Sequence, residues 1–389
     1  MDEFIAKSVY VASLACYAAA AFGCLYALVA AFAARRFVAP AGQPRVDAYP
    51  AVTILKPLHG VEPNLYANLA RFCVQDYPGP VQIVFGVSDR ADPAVAVVQA
   101  IIAAYPDRDV KLVVNARRHG SNRKVSNLVN MVAQARHEVL VISDSDIVVD
   151  ADYLKNIAGS LQRPGIGLVT CLYRGVAGKG VWASLAAAAI DYHFLPSVLV
   201  GLMFGLAAPC FGSTIAVRKD TLDAIGGLQS VADQLADDYA LGAAVRRAGF
   251  GVAIPAYIVG HECTQSTSPS LFRHELRWAR TIRSVDPLGF AGTAITHALP
   301  LALLGLLLGG MTPLAALVPA AFACRAVLQM ELDRAFRLRR RFYWWGPLRD
   351  LMSFAVFVAS FFGRGVEWRG HRYGVQADNT LAYYGEVET

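Results

Sequence analysis

The chain has 389 residues, of which 55% are hydrophobic and only 17% charged, and its mean hydropathy is +0.39. This is too apolar for an ordinary soluble enzyme, and the net charge of +6 comes without a long basic stripe or a nucleic-acid module. We therefore expect a membrane protein with no nucleic-acid partner. The seven scattered cysteines, with no C-x-x-C pair, argue against a disulfide framework or a zinc site.

The N-terminal stretch is a membrane anchor by composition. Residues 8–34 carry no charge, and Arg35 and Arg36 follow directly. The run is long enough to cross a bilayer, and positive residues favour the cytoplasmic side. We predict an uncleaved transmembrane anchor over residues 1–36, with its N-terminus outside, and a linker over residues 37–50.

Residues 51–260 alternate between short β-branched runs and amphipathic segments. We predict strands at 52–55, 81–87, 110–114 and 139–143, and helices at 65–72, 93–105 and 122–135. A βαβα order of this kind indicates an α/β domain with a doubly wound parallel sheet.

Asp144 and Asp146 follow the strand at 139–143, where open α/β sheets bind their ligands. If the strand continues past Ser145, both carboxylates point to one side. Paired carboxylates suit Mg²⁺ or Mn²⁺, which in turn would bind a diphosphate. The alternative is a polar turn that closes the strand.

Other strand exits carry Lys56, Asp89 and Asp92. So many carboxylates at one sheet edge are unfavourable unless a metal or a basic partner neutralises them, which favours the metal interpretation. Lys124 fits two interpretations equally, a phosphate ligand and a buried structural lysine.

Asp237 and Asp238 precede a helical pattern that runs to Ala248 and stops at Gly249. One interpretation is a pair of residues at a helix N-cap. The other is a general base at the start of the helix.

A basic helix is predicted around Trp278. Arg273, Arg277 and Arg280 recur beside it at helical spacing. Such a face can hold phosphates and stack an aromatic ring, or it can lie on anionic lipid headgroups. One helix can serve both purposes, so both interpretations stand.

The C-terminal part returns to apolar segments. Residues 294–328 are uncharged up to Arg325 and are broken at Gly309–Gly310 and Pro313, which predicts two helices joined by a tight external turn. The arginines between 334 and 341 then form a cytoplasmic loop. Residues 348–362 are either a further span or a re-entrant or interfacial segment. Residues 195–211 are either core or, as we favour, in contact with the membrane.

These segments define the predicted domains. A catalytic domain over 51–290 faces the cytoplasm, membrane helices cover 291–364, and a basic tail covers 365–389. The expected location is the cytoplasmic (inner) membrane.

Several motifs, in order, resemble ceramide glucosyltransferases, and together they cover roughly residues 50–375. They lie at 55–65 (LKPLHGVEPNL), 76–78 (DYP), 89–93 (DRADP), 122–128 (NRKVSNL), 218–222 (RKDTL), 226–227 (GG), 368–369 (WR) and 372–373 (RY). The resemblance implies a GT-A (Rossmann-like) fold, a UDP-sugar site that depends on a divalent cation, and an inverting mechanism.

The resemblance also implies residue roles. Asp92 would help form the nucleotide site, with Lys56, Asp89 and Lys124 on the donor side. Asp144 and Asp146 would serve the metal and the diphosphate, and Asp238 would be the base. Arg277 and Trp278 would complete the donor and acceptor pocket. His274 departs from the family pattern, which usually has Gln or Arg there, so its role as a ligand is open; Asp237, Arg273 and Arg280 are secondary candidates.

The His-Glu-Leu-Arg-Trp-Ala-Arg run at 274–280, with Ser-Asp-Ser-Asp at 143–146, resembles the bacterial hopanoid-associated glycosyltransferases. This implies transfer of N-acetylglucosamine from its UDP derivative to bacteriohopanetetrol. A ceramide glucosyltransferase that uses UDP-glucose and a processive polysaccharide synthase are the alternatives. A non-catalytic scaffold would be expected to lose the base, and Asp238 is present.

Overall fold

The computed structural model describes residues 2–38, 49–338, 345–363, 365–368, 371–375 and 380–386. Most of the predicted linker, at 39–48, lies outside the described residues, as do the arginines at 339–341, 364 and 369. Packing divides the chain into two units. The helical unit comprises Met1–Ala39, Ala177–Ala207 and Gln265–Arg364, and the sheet unit comprises Pro40–Val176, Ala208–Thr264 and Gly365–Thr389. The units follow packing and not chain order, and the domain limits stated above remain a prediction.

The helices, in chain order, are α1 (Asp2–Val38), α2 (Leu65–Cys73), α3 (Ala94–Ala104), α4 (Arg123–Val132), α5 (Tyr153–Leu161), α6 (Val181–Ala189), α7 (Leu195–Met203), α8 (Lys219–Ala224), α9 (Asp237–Arg247), α10 (Ser268–Val285), α11 (Pro287–Gly292), α12 (Ala298–Gly309), α13 (Leu317–Phe336) and α14 (Gly346–Ser360). The strands are β1 (Val52–Pro57), β2 (Val81–Val87), β3 (Asp109–Val114), β4 (Val139–Ile142), β5 (Ile147–Val148), β6 (Ile166–Thr170), β7 (Leu172–Ala177), β8 (Ile215–Arg218), β9 (Gly251–Ala253), β10 (Ile258–Cys263), β11 (Gly365–Trp368), β12 (His371–Val375) and β13 (Leu381–Glu386).

The main sheet has seven strands in the order β3-β2-β1-β4-β8-β6-β9. The four predicted strands are confirmed as parallel neighbours, because β1 pairs in parallel with β2 and β4, and β2 with β3. The prediction of a wholly parallel sheet was wrong: β8 runs antiparallel to both β4 and β6. No short turn joins β8 to either neighbour, because β7, α6 and α7 lie between β6 and β8 in the chain, so no local sequence signal indicated the direction of β8.

The core of the sheet unit lies between the central strands and the helices that cover them. Leu55, Leu140 and Val217 from the sheet are fully buried, together with Met131 of α4 and Val245 of α9. Strands buried in this way read as continuous apolar runs, which is why β1 and β4 could be located from the sequence. The carboxyl ends of β1 and β4 carry the candidate site residues at one edge of this sheet.

The helical unit is built on α1, which packs along α12 and α13. Small residues allow the close approach: a Cβ on Gly23 would overlap Ala298, and one on Gly305 would lie 3.0 Å from the ring of Tyr17. Small residues at helix contacts are typical of helices that pack within a bilayer.

Among the described residues, three helical stretches are long and apolar enough to cross a membrane: Glu3–Val38, Val181–Met203 and Pro313–Phe336. A fourth is formed if the pair Pro287–Thr296 and Ala298–Gly309, bent by 69°, counts as one span. The predicted N-terminal anchor and the two helices around Gly309–Gly310 are therefore confirmed as elements. Within the described residues, α14 is not among these stretches, and the interpretation of the segment at 348–362 stays a prediction.

The apolar segment that contains Pro196 is longer than the sequence indicated. A π-helical turn at Ile190–Phe194 joins α6 to α7 directly before Pro196. A proline removes one N–H from a helix, and a wider turn at that point lets the helix continue. The stretch that is long and apolar enough to cross a membrane therefore begins at Val181 and ends at Met203, so it includes only the first part of the predicted segment at 195–211.

Candidate active site

The two aspartates of the Asp-x-Asp motif lie in a turn that follows β4, and not in a strand. β4 ends at Ile142, and the N–H of Ile147 donates to the carbonyl oxygen of Asp144 at 3.3 Å. The condition under which strand alternation would point both carboxylates to one side, a strand that continues past Ser145, is therefore not met. The turn is held in place beyond the motif, because the N–H of Glu262 on β10 donates to the Asp146 carbonyl at 2.9 Å.

Lys124 is the cationic centre of the site. It lies in the first turn of α4, which Asn122 caps by accepting hydrogen bonds from the N–H groups of Lys124 and Val125. The Lys124 Nζ lies 2.7 Å from Asp144 Oδ1 and 3.5 Å from Asp237 Oδ2. Burial alone would lower the pKa of Lys124, but these carboxylates and Asp238 together raise it, so the ammonium stays charged.

Asp237 and Asp238 both lie in the first turn of α9, and Ala236 occupies the N-cap position. The N-cap interpretation of this pair is therefore wrong. Asp238 Oδ2 accepts from the Gly212 N–H and Oδ1 from the Tyr239 N–H, both at 2.8 Å. Burial and the neighbouring Asp237 raise the pKa of Asp238 to about 6, against the opposing effects of Lys124 and the two N–H groups. A carboxylate near its pKa at neutral pH is suited to accept a proton.

Gly212 lies at the centre of these groups and was not anticipated from the sequence. A Cβ at this position would lie 2.8 Å from Asp144 Oδ2, 3.0 Å from Lys124 Nζ and 3.5 Å from Asp238 Oδ2. The Gly212 carbonyl also accepts from the Asp144 N–H at 3.3 Å. The absence of a side chain at Gly212 thus allows these three side chains to lie close together. No sequence pattern around this glycine, which lies between Phe211 and Ser213, indicated that contact.

His261 is a second residue that sequence reasoning missed. Its Nε2 lies 3.4 Å from Asp146 Oδ2, and the other oxygen, Asp146 Oδ1, is buried without a hydrogen-bond partner. Within the described part of the chain no group of three or more His, Cys, Asp or Glu side chains forms a ready metal cluster. The donors nevertheless suit a divalent cation: two carboxylates, one with an unsatisfied oxygen, and an imidazole.

Lys56 lies beneath the turn, fully buried. Its Nζ donates to the Asp144 carbonyl oxygen at 2.5 Å and approaches Ser143 Oγ at 3.4 Å. Burial lowers the pKa of Lys56 to about 7, although Asp144, Asp146 and Glu62 oppose this shift.

Asp89 and Asp92 lie where β2 leads into α3. Asp92 accepts from the Gly60 N–H at 3.0 and 3.1 Å and from the Ala94 N–H at 2.9 Å, so it joins the loop after β1 to the start of α3. Asp89 is exposed and accepts from the Ala91 N–H at 2.9 Å.

The predicted basic helix exists as α10 and belongs to the helical unit. The rings of His274 and Trp278 lie 4.8 Å apart. Arg273 is exposed, and Arg280 donates to the Phe362 carbonyl at 2.6 Å. Arg277 and Trp278 are partly buried on the same helix.

The structure brings five of the predicted site residues together in the sheet unit: Lys124, Asp144, Asp146, Asp237 and Asp238. The roles of the α10 residues stay a prediction.

Comparison with known proteins identifies the family and the fold of the chain. The model of glycosyl transferase family 21 matches residues 15–381, nearly the whole chain. The chain belongs to glycosyl transferase family 21. A similar solved structure is that of the mannosyltransferase PcManGT from Pyrobaculum calidifontis in complex with GDP-Man and Mn²⁺. It has a TM-score of 0.54 at 20% identity, over 91% of this chain and 99% of that chain. The predicted GT-A fold is confirmed.

Curated relatives of this family 21 protein include ceramide glucosyltransferases. Ceramide glucosyltransferase 1 of Caenorhabditis elegans is 26% identical over 232 residues, which is 59% of this chain and 49% of the relative. The ceramide glucosyltransferase of Candida albicans is 32% identical over 127 residues, 30% of this chain and 23% of the relative. The chain therefore spans half or less of the length of the relatives that it matches, and the predicted resemblance is confirmed at the level of the family.

Proposed function

We propose that this protein is an inverting membrane glycosyltransferase that moves a sugar from a UDP-sugar to a hydroxyl group of a lipid. The observation that carries the proposal is the cluster around Gly212, where a base with a raised pKa lies beside a lysine and the Asp-x-Asp turn. Membership of family 21 and the apolar helices of the helical unit support it.

The donor side of the reaction needs positive charge opposite a diphosphate. Lys124 supplies a charged ammonium in the first turn of α4, where the helix N-terminus also favours anions. Asp144, Asp146 and His261 would hold a divalent cation, as the Asp146 oxygen without a partner suggests. Such a cation, when bound, stabilises the negative charge that develops on the departing UDP. The Mn²⁺ named with the PcManGT structure supports this assignment.

The acceptor side needs one base and no enzyme nucleophile. Asp238 takes the proton of the lipid hydroxyl as that oxygen attacks the anomeric carbon. The backbone N–H groups of Gly212 and Tyr239 fix the carboxylate while leaving lone pairs on both oxygens. Because a single in-line displacement occurs, the configuration of the sugar is inverted. The family resemblance supports a role for Arg277 and Trp278 of α10 in binding the donor and the acceptor.

The finer substrate assignment is transfer of N-acetylglucosamine to bacteriohopanetetrol, with the catalytic residues on the cytoplasmic side of the inner membrane. The resemblance of 274–280 and 143–146 to hopanoid-associated enzymes supports it. The decisive experiment compares lipid extracts of cells with and without the protein by mass spectrometry. A hexosamine-bearing polyol lipid that depends on the protein and on Asp238 is expected.

Ceramide is the second acceptor to test, because the curated relatives are ceramide glucosyltransferases. A glucosylated ceramide or diacylglycerol in the same extracts would assign that acceptor, and a new polysaccharide would favour a processive synthase. Extracts with no glycolipid difference, from cells shown to contain the folded protein and supplied with each lipid, would refute the proposal.

A further inference from the structure

Lys56 is a buried polar residue to which the reaction proposed above gives no direct part. Its side chain is fully buried in β1, so it is not open to a substrate in this structure. The ammonium lies 3.9 Å from the centre of the Phe72 ring and donates to the Asp144 carbonyl at 2.5 Å. Burying an amine is energetically unfavourable, so packing alone does not explain a lysine at this position.

The contact point of Lys56 is the backbone of the turn that presents both aspartates. Its second neighbour, Ser143 Oγ, lies on the residue before Asp144. The Asp144 carbonyl has another donor, the Ile147 N–H at 3.3 Å. Removing Lys56 therefore does not leave that carbonyl without a partner, and the lysine is not needed to satisfy it.

We propose that Lys56 is a positioning residue, which fixes the Asp144–Asp146 turn from below so that its carboxylates are oriented to bind a divalent cation. The inference rests on the proposed function and extends it to a residue that touches neither the cation nor the sugar. Groups that orient metal ligands in this indirect way typically contribute roughly 10- to 100-fold to metal affinity.

The test is Lys56→Met in the full-length protein, purified in detergent. Methionine has a similar length and is apolar, so it suits the buried position. We expect the thermal unfolding midpoint to stay level or rise, because a desolvated amine is replaced by an apolar group. We expect Mn²⁺ affinity, measured in the presence of UDP by the EPR signal of free Mn²⁺, to fall about tenfold.

Two further variants make the result specific. Lys56→Gln keeps an N–H donor and is expected to retain more Mn²⁺ affinity than Lys56→Met, and it replaces Lys56→Met in the comparison if that variant does not fold. Lys155→Met is the control, since Lys155 pairs with Asp76 at 2.6 Å in a partly exposed ion pair outside the site. It should leave Mn²⁺ binding unchanged.

The direction of the change in Mn²⁺ affinity, compared with the change in stability, separates this positioning role from the alternatives. Removing a positive charge alone would strengthen binding of a cation, and a general structural role would lower stability and affinity together. Unchanged or tighter Mn²⁺ binding in Lys56→Met, or a loss of affinity only in step with a loss of stability, overturns the inference. Sugar transfer by the wild type, assayed in parallel, tests the proposed function separately: absent transfer with intact Mn²⁺ binding would refute only that function.

Discussion

Gly212→Ala is the sharpest test of the site, because the substitution adds one methyl group at its centre. The added Cβ would lie 2.8 Å from Asp144 Oδ2, which is 0.6 Å short of the 3.4 Å at which ordinary contact begins. Lys124 Nζ, at 3.0 Å, is also too close. Both are ends of side chains, so the protein can accommodate the methyl by moving the groups that are proposed to act on the donor.

The expected result is a catalytic defect with little loss of stability. Gly212 is not among the glycines with positive φ, so alanine is compatible with its backbone. Replacing glycine by alanine at a compatible site changes the free energy of unfolding by less than about 1 kcal/mol. Since a 1 Å misplacement of reacting groups lowers rates by up to roughly 100-fold, a shift of this size should lower kcat/KM by about 10-fold or more.

The assay is the initial rate of UDP release with saturating lipid, together with thermal unfolding followed by circular dichroism. Gly292→Ala is the matched control: this glycine has a φ of −60° and no heavy atom within 4 Å of an added Cβ. Gly212→Ala with a kcat/KM within twofold of the wild type would show that the space at Gly212 is not used. A large loss of stability would show that the clash falls on the fold and not on the site.

The remaining predictions concern metal, base, pH and topology. EDTA and Asp146→Asn should each abolish most of the transfer, and undiminished turnover in both would exclude the metal role. Asp238→Asn should lower kcat roughly 10²- to 10⁴-fold while UDP binding persists, and a large loss confined to Asp237→Asn would move the base by one residue. Because the pKa of Asp238 is raised to about 6 and the base acts when deprotonated, the rate should rise through pH 6 and level off above it; a flat profile from pH 5 to 8 would contradict this. A reporter fused after Arg36 should be active in the cytoplasm, and activity only outside would reverse the topology.

The sequence predicted best where a pattern is local. The strands β1 and β4 were located from short, mainly apolar runs, and α4 begins one residue after the predicted start at Asn122, which is its N-cap. The Asp-x-Asp pair was located at the correct sheet edge for the same reason. The geometry of the pair was not predicted correctly. The chain leaves β4 for a turn because Ile147–Val148 pairs with β10, which lies more than 100 residues later in the chain.

Long-range partners explain the other gaps. His261 reaches Asp146 only because β10 pairs with β5, and nothing in its own neighbourhood indicates a metal ligand. Gly212 directly follows the stretch at 195–211, whose apolar character pointed to the membrane, whereas the three side chains that surround it are distant in sequence. A glycine followed by Ser213 and Thr214, directly before a buried strand, is the one local signal that could have indicated a backbone close to a ligand.

The contacts of the two adjacent aspartates support the proposal that Asp238, rather than Asp237, is the base. Asp237 Oδ2 lies 3.5 Å from Lys124 Nζ, and Asp237 Oδ1 accepts from the Asn122 side chain at 3.4 Å. Both oxygens of Asp237 therefore interact with residues at the start of α4. Asp238 is held by two backbone N–H groups, which orient a carboxylate without supplying a full positive charge. The nearby negative charge of Asp237 then raises the pKa of Asp238. In the proposed mechanism, Asp237 thus supplies charge and structure, and its charge keeps the neighbouring Asp238 basic enough to accept the proton.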